Sequence, residues 1–555
     1  MRGAIDRCLA RVLGLSCTLL FLAPMLAGGA VGTAEIVDST WVDHDRLAIQ
    51  RPPDWEPSYW GRRIHQGVVE PLAHLFDIPD KLLWIARGLG ASTQREAVNV
   101  NAFDEVPNSS WFTNRNHMRA IPVTDLRQGP DSVFVPTKPW TIKHVKQGGW
   151  SEGFQIKDAD GRKWLVKLDP LGYPQLSAGA DMISRTLLHA AGYNVPHNEP
   201  VRFRRGDVVI DSALSHAAED KRFTDADLDS LLARGAVFPD SSYSAFASLF
   251  IPGALGSPSM NRLRPGDSND WYSHIHRREL RGLFVLCSWI NDWDTEDHQF
   301  LDAFAETRDS LGHVDHYILD VGSSFGASAN GPKEQWWTYE SMPDFAWIGR
   351  RLVTLGFVEE PWRRARQETG IPSVGNYESE VYQPQNFTEL VPEPAFRERT
   401  DRDGYWGAKI VASFSNAQIA AAVDAAHYED PRATDYQVQN LIVRRDKIAR
   451  YWFGRVAPLD FFSVDGGALH FHDLAVDVGL TSPRAYEIDI ETMDGRSPGR
   501  HPVHLRNTEL PLIDIGNGAS HLSLEIFVAG NQAKPAHVEL ARVGSEWIVT
   551  RVRHG

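Results

Sequence analysis

Gly148-Gly149-Trp150-Ser151-Glu152-Gly153-Phe154-Gln-Ile-Lys-Asp158, Ala-Asp160-Gly161-Arg and Lys163-Trp-Leu-Val-Lys-Leu168 form one continuous run. It reads as a glycine-bearing turn leading into a strand, a hairpin turn at Asp160-Gly161, and a returning strand. Side chains alternate along a strand, so Trp164, Val166 and Leu168 share one face while Leu165 and Lys167 share the other. A lysine inside an apolar strand is costly unless its ammonium meets an anion or a carboxylate. Glycines in the preceding turn let backbone N–H groups approach phosphate oxygens. Leu176–Ala191, closed by Gly192, is expected to be the helix that follows.

A second region supplies carboxylates. His276-Arg-Arg-Glu-Leu-Arg-Gly-Leu-Phe-Val-Leu-Cys-Ser-Trp-Ile290 has helical spacing, with Leu280, Leu283, Phe284, Cys287 and Ile290 on an expected inner face. It runs into the acidic loop Asn291-Asp-Trp-Asp-Thr-Glu-Asp-His-Gln299. Downstream, Tyr317-Ile-Leu-Asp-Val-Gly322 reads as an apolar strand ending in Asp320. Phosphoryl transfer needs one Asp to orient the acceptor hydroxyl, an amide oxygen or carboxylate on a metal, and a second Asp bridging metal to phosphates. Asp294, Gln299 and Asp320 provide those types in that order.

Val166-Lys167, Asp294-x4-Gln299 and Asp320-Val-Gly resemble the HipA-type and phosphoinositide-kinase-like branch of atypical kinases, over about residues 140–455. In that branch the catalytic loop resembles D-x-H-x-x-N, and the metal-binding Asp stands in place of D-F-G. The resemblance implies bound ATP and Mg²⁺. Lys167 would contact the α/β-phosphates within a nucleotide site formed by Gly148, Gly149, Gly153, Leu165, Lys167 and Asp181. Leu165 would roof the adenine, and Asp181 stands where the helix partner of the lysine is expected. Asp294 would be the catalytic Asp, with Gln299 and Asp320 holding the metal. Two departures stand out: Gln299 replaces Asn, and Asp181 is the sole acid between Leu176 and Ala191, one methylene shorter than the expected Glu. Asn99-Val-Asn-Ala-Phe-Asp-Glu-Val-Pro-Asn-Ser-Ser-Trp-Phe-Thr-Asn-Arg115 and Arg277-Arg-Glu-Leu-Arg-Gly282 also resemble hallmarks of a group of exported bacterial proteins. That likeness implies export and no particular activity.

Export is also the reading of the first 34 residues. Arg2, Arg7 and Arg11 precede a largely apolar run, Val12 to Ala27, and Gly32-Thr33-Ala34 offers a small-residue cleavage site. The run is short and interrupted by Pro24, so no stable membrane span is expected after cleavage. Cleavage would move the net charge from −15 to −17 and leave Cys287 as the one cysteine, expected to be a buried hydrophobe. That acidic balance argues against nucleic acid held by bulk charge. The 555 residues, 42% of them apolar and with 18 Trp, are ample for several packed domains.

The expected architecture is α+β: a signal peptide (1–34), an N-terminal wrap (35–139), a two-lobed kinase-like domain (140–456) and a C-terminal β-sandwich-like domain (458–555). The lobes would be a small antiparallel β lobe and a mainly helical lobe, with loops at 291–300 and 320–335. The last part rests on alternating runs separated by Asp494-Gly495, Gly516-Asn517-Gly518 and Gly530-Asn531. Val68, Leu72, Leu75, Phe76, Leu82, Leu83 and Ile85 add a helical patch to the wrap. Three other signals are set aside. His470 and His472 share a strand face without a third ligand. Gly149-Trp-Ser-Glu-Gly153 matches a serine-hydrolase elbow but precedes a strand rather than a helix. Trp111 near Asp104-Glu105 suggests packing before carbohydrate.

The sequence thus points to an exported, periplasmic or secreted, Mg²⁺/ATP-dependent phosphotransferase acting on the hydroxyl of a protein or small molecule. Two readings compete with it. One is an inactive pseudokinase-like scaffold or binding protein of the cell envelope. The other is a metal-dependent hydrolase using Asp292, Asp294 and Asp320.

Overall fold

The computed structural model describes residues 42–56, 95–128, 134–146, 149–215, 222–260, 262–341, 345–364, 369–391, 393–492, 501–512 and 519–555. The expected leader, the apolar patch between Val68 and Ile85, and Gly148 lie outside them. Among the described residues no helix is long and apolar enough to cross a membrane.

The quoted run folds as its alternation requires. Strands β1 (Trp140–Val145), β2 (Gly153–Lys157), β3 (Lys163–Leu168), β4 (Asn198–Phe203), β5 (Val208–Ile210) and β6 (Tyr243–Leu249) make a six-stranded sheet in the order β4-β6-β3-β2-β1-β5. All pairs are antiparallel except β1 with β5. Trp164, Val166 and Phe154 are fully buried in a core completed by Leu228, Leu231 and Leu232 of helix α2 (Asp225–Leu232). Each such side chain contributes about 1.5–3 kcal/mol. The opposite face carries Leu165 and Lys167.

Helix α1 spans Leu176–Ala191, the range expected from sequence. Its first-turn N–H groups are satisfied from outside the helix. Asp169, which directly follows β3, accepts from the backbone N–H of Ser177 and Ala178 with one oxygen, and from Gln175 N–H and the Ser244 hydroxyl with the other. The lysine-bearing strand is thereby fastened to the start of α1. Gly192 closes the helix at φ 132°, where a Cβ would meet the Phe112 ring at 2.3 Å.

Helices α1, α3 (Arg278–Ile290), α5 (Asp401–Ala412), α6 (Asn416–Asp424) and α7 (Pro431–Phe453) share the largest core, which includes Cys287. The expectation of a mainly helical lobe needs two corrections. Strands β7 (Phe300–Arg308) and β8 (Leu311–Ile318) interrupt the helices as a hairpin, because Asp309 and Ser310 both adopt left-handed backbone conformations that suit a tight turn. Helix α3 is buried all round rather than on one face: Arg278, Glu279 and Arg281 are as covered as Leu283. The segment 95–105 and helix α5 lie over its outer side and supply partners for those charges.

Asn99 accepts from Arg278 N–H and donates to Glu279, and Asp104 accepts from the Arg278 guanidinium at 2.6 Å. The two stretches that signalled an exported family therefore pack on one another. Trp111 is buried, stacked on His316 at 3.8 Å, so it lines no groove. After α7 the chain enters strands that begin at Leu459. A five-stranded and a three-stranded sheet there share one apolar core containing Leu469, Ile488, Leu524 and Val538.

His117 gives this fold a predictable acid response. Burial pushes its imidazole down to about 4 against some opposition from Asp460, and neither ring nitrogen has a hydrogen-bond partner among the described residues. A depressed folded value means that stability is complete above the unfolded value of about 6.5 and falls as pH drops towards 4, by about 2–3 kcal/mol at pH near 4.5. Urea unfolding of wild type and His117→Phe at neutral and acid pH measures it. The wild type should lose that much more than the variant; parallel losses would rule the imidazole out.

Candidate functional site

Lys167 reaches from β3 across to Asp320, its Nζ donating to Oδ2 at 2.5 Å. These residues lie 153 positions apart, and the contact ties the six-stranded sheet to the segment that follows β8. Lys167 also lies 5.5 Å from the centre of the Phe246 ring on β6. Burial alone would raise the Asp320 carboxyl. The Lys167 ammonium, assisted by Lys146 and His298, instead holds it below the usual carboxylate range.

The β7–β8 hairpin explains how Asp320 meets the acidic loop. Phe300 pairs with Ile318, and one step outward Leu319 N–H donates to the Gln299 carbonyl at 2.7 Å. Gln299 and Asp320 therefore stand together at the open end of the hairpin. The Gln299 side-chain amide donates to Asp294 Oδ2 at 2.6 Å, which joins Asp294 to the same group. Helix α3 aims the loop: Asn291 ends it in a left-handed conformation, and Asp292 N–H returns to the Cys287 carbonyl. Burial, with Asp294 alongside, pushes the Asp292 carboxyl up to about 8. Lys333, which donates to the Asn291 and Ser323 carbonyls, ties this loop to the segment after Asp320.

The ion pair expected between Lys167 and the α1 acid is not made. Asp181 is fully buried and accepts from the Asn198 amide at 2.7 Å, while burial, partly opposed by that bond and by Lys167, raises its carboxyl to about 7. Its shorter stem leaves Lys167 to the nearer, ionised Asp320. Leu165 is half-buried on the Lys167 face. Gly153 faces Lys167 in the ladder, and a Cβ there would lie 2.4 Å from the Val166 carbonyl oxygen.

Gly149 has φ 69°, and a Cβ on it would meet the Lys146 ammonium at 2.9 Å. Lys146 folds beneath this turn, donating to the Ser151 carbonyl and hydroxyl at 2.9 and 2.8 Å. Burial and the neighbouring Lys167 hold its ammonium's pKa below the usual lysine value. Sequence reasoning missed Lys146, although it stands two residues before Gly148. Asp169 was missed as well, because its role is visible only once α1 packs beside β3.

The donor set fits a hard cation shared with phosphates. Asp320 is kept ionised, Oδ1 has no hydrogen-bond donor among the described residues, and Gln299 brings an amide group to the same end of the hairpin. One or two protein oxygens plus substrate phosphates and water make an ordinary Mg²⁺ site. No cluster of three or more His, Cys, Asp or Glu suited to a metal occurs among the described residues. His470 and His472 bond to the Asp465 carbonyl and to Asp477, and 149–153 leads into a strand rather than a helix, so no serine elbow forms there.

No family model matches the chain, and no curated protein matches it. Among solved structures it is similar to the Helicobacter pylori proinflammatory kinase CtkA, at 9% identity and TM-score 0.29, covering 57% of this chain and 99% of that one. It is also similar to the Golgi casein kinase. The structure with Mn/ADP bound gives 12% identity, TM-score 0.27 and coverage of 60% and 73%. A second structure of that kinase gives 12%, 0.28, 60% and 72%. These likenesses are shallow, and the pairing of Lys167 with Asp320 stands on this chain's own geometry.

Proposed function

We propose that this chain is an exported Mg²⁺/ATP-dependent phosphotransferase of atypical kinase type, acting on a protein or small-molecule hydroxyl. The Lys167–Asp320 pair carries the reading. A buried lysine on the sheet and an ionised aspartate at the hairpin end, with Gln299 and Asp294 beside them, are the groups needed at phosphates, metal and acceptor. Bound Mg²⁺ supplies charge neutralisation at the transferring phosphoryl group. The chain's own residues do the positioning: Lys167 and the 149–153 turn receive the phosphates, Leu165 covers the base, Asp320 and Gln299 hold the cation, and Asp294 orients the acceptor hydroxyl.

Nucleotide binding separates this reading from an inert scaffold. With Mg-ATP at about 100 times Kd, the folded state gains about 2.7 kcal/mol, read as a higher melting temperature. Thermal unfolding of residues 38–555, a compact unit in themselves, should show that rise, and Asp320→Ala should abolish it. No shift at millimolar Mg-ATP would overturn the proposal.

A further inference from the structure

Helix α4 (Phe345–Val353) and the turn after it project an apolar tip. Leu352, Val353, Leu355, Phe357 and Val358 are 71%, 86%, 80%, 87% and 58% exposed, a contiguous patch of a kind soluble surfaces rarely show. The turn is built to present them. Gly356 N–H returns to the Arg351 carbonyl, Phe357 N–H to Thr354, and Leu355 itself adopts φ 50°, a conformation unfavourable for leucine. Each side chain is more than half exposed, so the feature is a convex prong and not a groove.

Beneath the tip lies a belt of tryptophan and arginine. Arg351 lies 5.3 Å from the Trp347 ring centre, and Arg363 lies 4.8 Å from Trp347 and 5.7 Å from Trp336. The base is anchored, since Trp362 is buried against Tyr339 and donates to Glu340. Two of the arginines have carboxylate partners, Arg350 with Glu360 and Arg363 with Glu340. Residues 345–364 still carry four Arg against two Glu, a positive segment in a chain of net charge −15. Apolar side chains outermost and aromatic and guanidinium groups below follow the composition gradient of a bilayer boundary.

We infer that the 352–358 prong inserts into the outer layer of an anionic lipid bilayer, with Trp347, Arg351 and Arg363 at headgroup level. The belt continues into the candidate site: Trp336 packs on Trp337, and Trp337 on Trp293, which lies between Asp292 and Asp294. Membrane seating therefore brings the acidic loop close to the lipid surface.

The test is co-sedimentation of residues 38–555 with phosphatidylcholine vesicles containing about one third phosphatidylglycerol, beside pure phosphatidylcholine vesicles. The wild type should bind the anionic vesicles more tightly. Leu352→Glu/Phe357→Glu should weaken that binding about tenfold or more with an unchanged melting temperature, since both positions are exposed. Failure of the wild type to bind, equal binding by the double variant, or a solution dimer abolished by the double variant would each overturn the inference. The last outcome would assign the prong to a second copy. Binding to vesicles without nucleotide leaves the phosphotransferase reading to its own test.

Discussion

Asp294→Asn is expected to lower phosphotransfer by about 10²–10⁴-fold, the range for losing a positioned proton acceptor, while Mg-ATP affinity changes by no more than about threefold. Asp294 shares the hairpin mouth with Gln299 and Asp320 but is not the lysine's partner, so its loss should spare the phosphate contacts. The substitution keeps shape and removes charge. It also sets one amide against another, where the Gln299 amide now donates to a carboxylate at 2.6 Å. Asp320→Asn should behave differently, weakening metal-dependent nucleotide binding itself, because the paired ammonium would face a neutral group. Single-turnover rates with ATP and a generic acceptor, measured beside calorimetric affinities, separate the two. Equal rates for wild type and Asp294→Asn would remove Asp294 from the chemistry. Tight nucleotide binding with no turnover in the wild type would favour the pseudokinase reading.

Local patterns in this chain were legible, and pairings across it were not. The Asp160-Gly161 hairpin, the alternation that puts Lys167 opposite Trp164, and α1 with its closing glycine follow from turn chemistry and periodicity within about twenty residues. The partner of Lys167 does not. Choosing Asp320 over Asp181 depends on a hairpin end meeting a sheet 153 positions away, and on Asn198 already holding the helix acid. The hairpin left no clear alternation in sequence, since the buried face of Leu311–Ile318 carries Gly312, Val314, His316 and Ile318 while Leu311 and Tyr317 lie on the other. Helix α3 misled for a different reason. Arginine normally marks an exposed face, and only distant carboxylates allow Arg278 and Arg281, one helical turn apart, to be buried.

Those carboxylates make Arg278→Ala the most damaging single change expected for stability, costing about 3–5 kcal/mol where whole domains are stable by about 5–15 kcal/mol. The Arg278 guanidinium donates to the Asp104 carbonyl and carboxylate at 2.7 and 2.6 Å and to Asp403 at 3.2 Å. Asp104 also accepts from Arg402 and from the backbone and ring of His554, while Asp403 accepts from Arg281 and from Thr400. Truncating Arg278 leaves two buried carboxylates short of a cation, and the cost comes from their stranded charge more than from the lost bonds. Burial alone would raise the Asp104 carboxyl, yet Arg278, His554 and Arg402 hold it well below the usual range. Its contribution is therefore present above the unfolded carboxylate value of about 4 and disappears as pH falls through the folded one. Position decides the magnitude. Arg205 makes equally short contacts with Asp225 and Asp229, but those carboxylates are 83% and 62% exposed, so Arg205→Ala should cost less than about 1 kcal/mol. Chemical denaturation of both variants supplies the comparison. A cycle of Arg278→Met with Asp104→Asn should give a double variant less destabilised than the two single losses added together, because removing both charges leaves less unpaired. Additive losses, or an Arg278→Ala cost no larger than that of Arg205→Ala, would show that the buried network does not hold helix α3 in place.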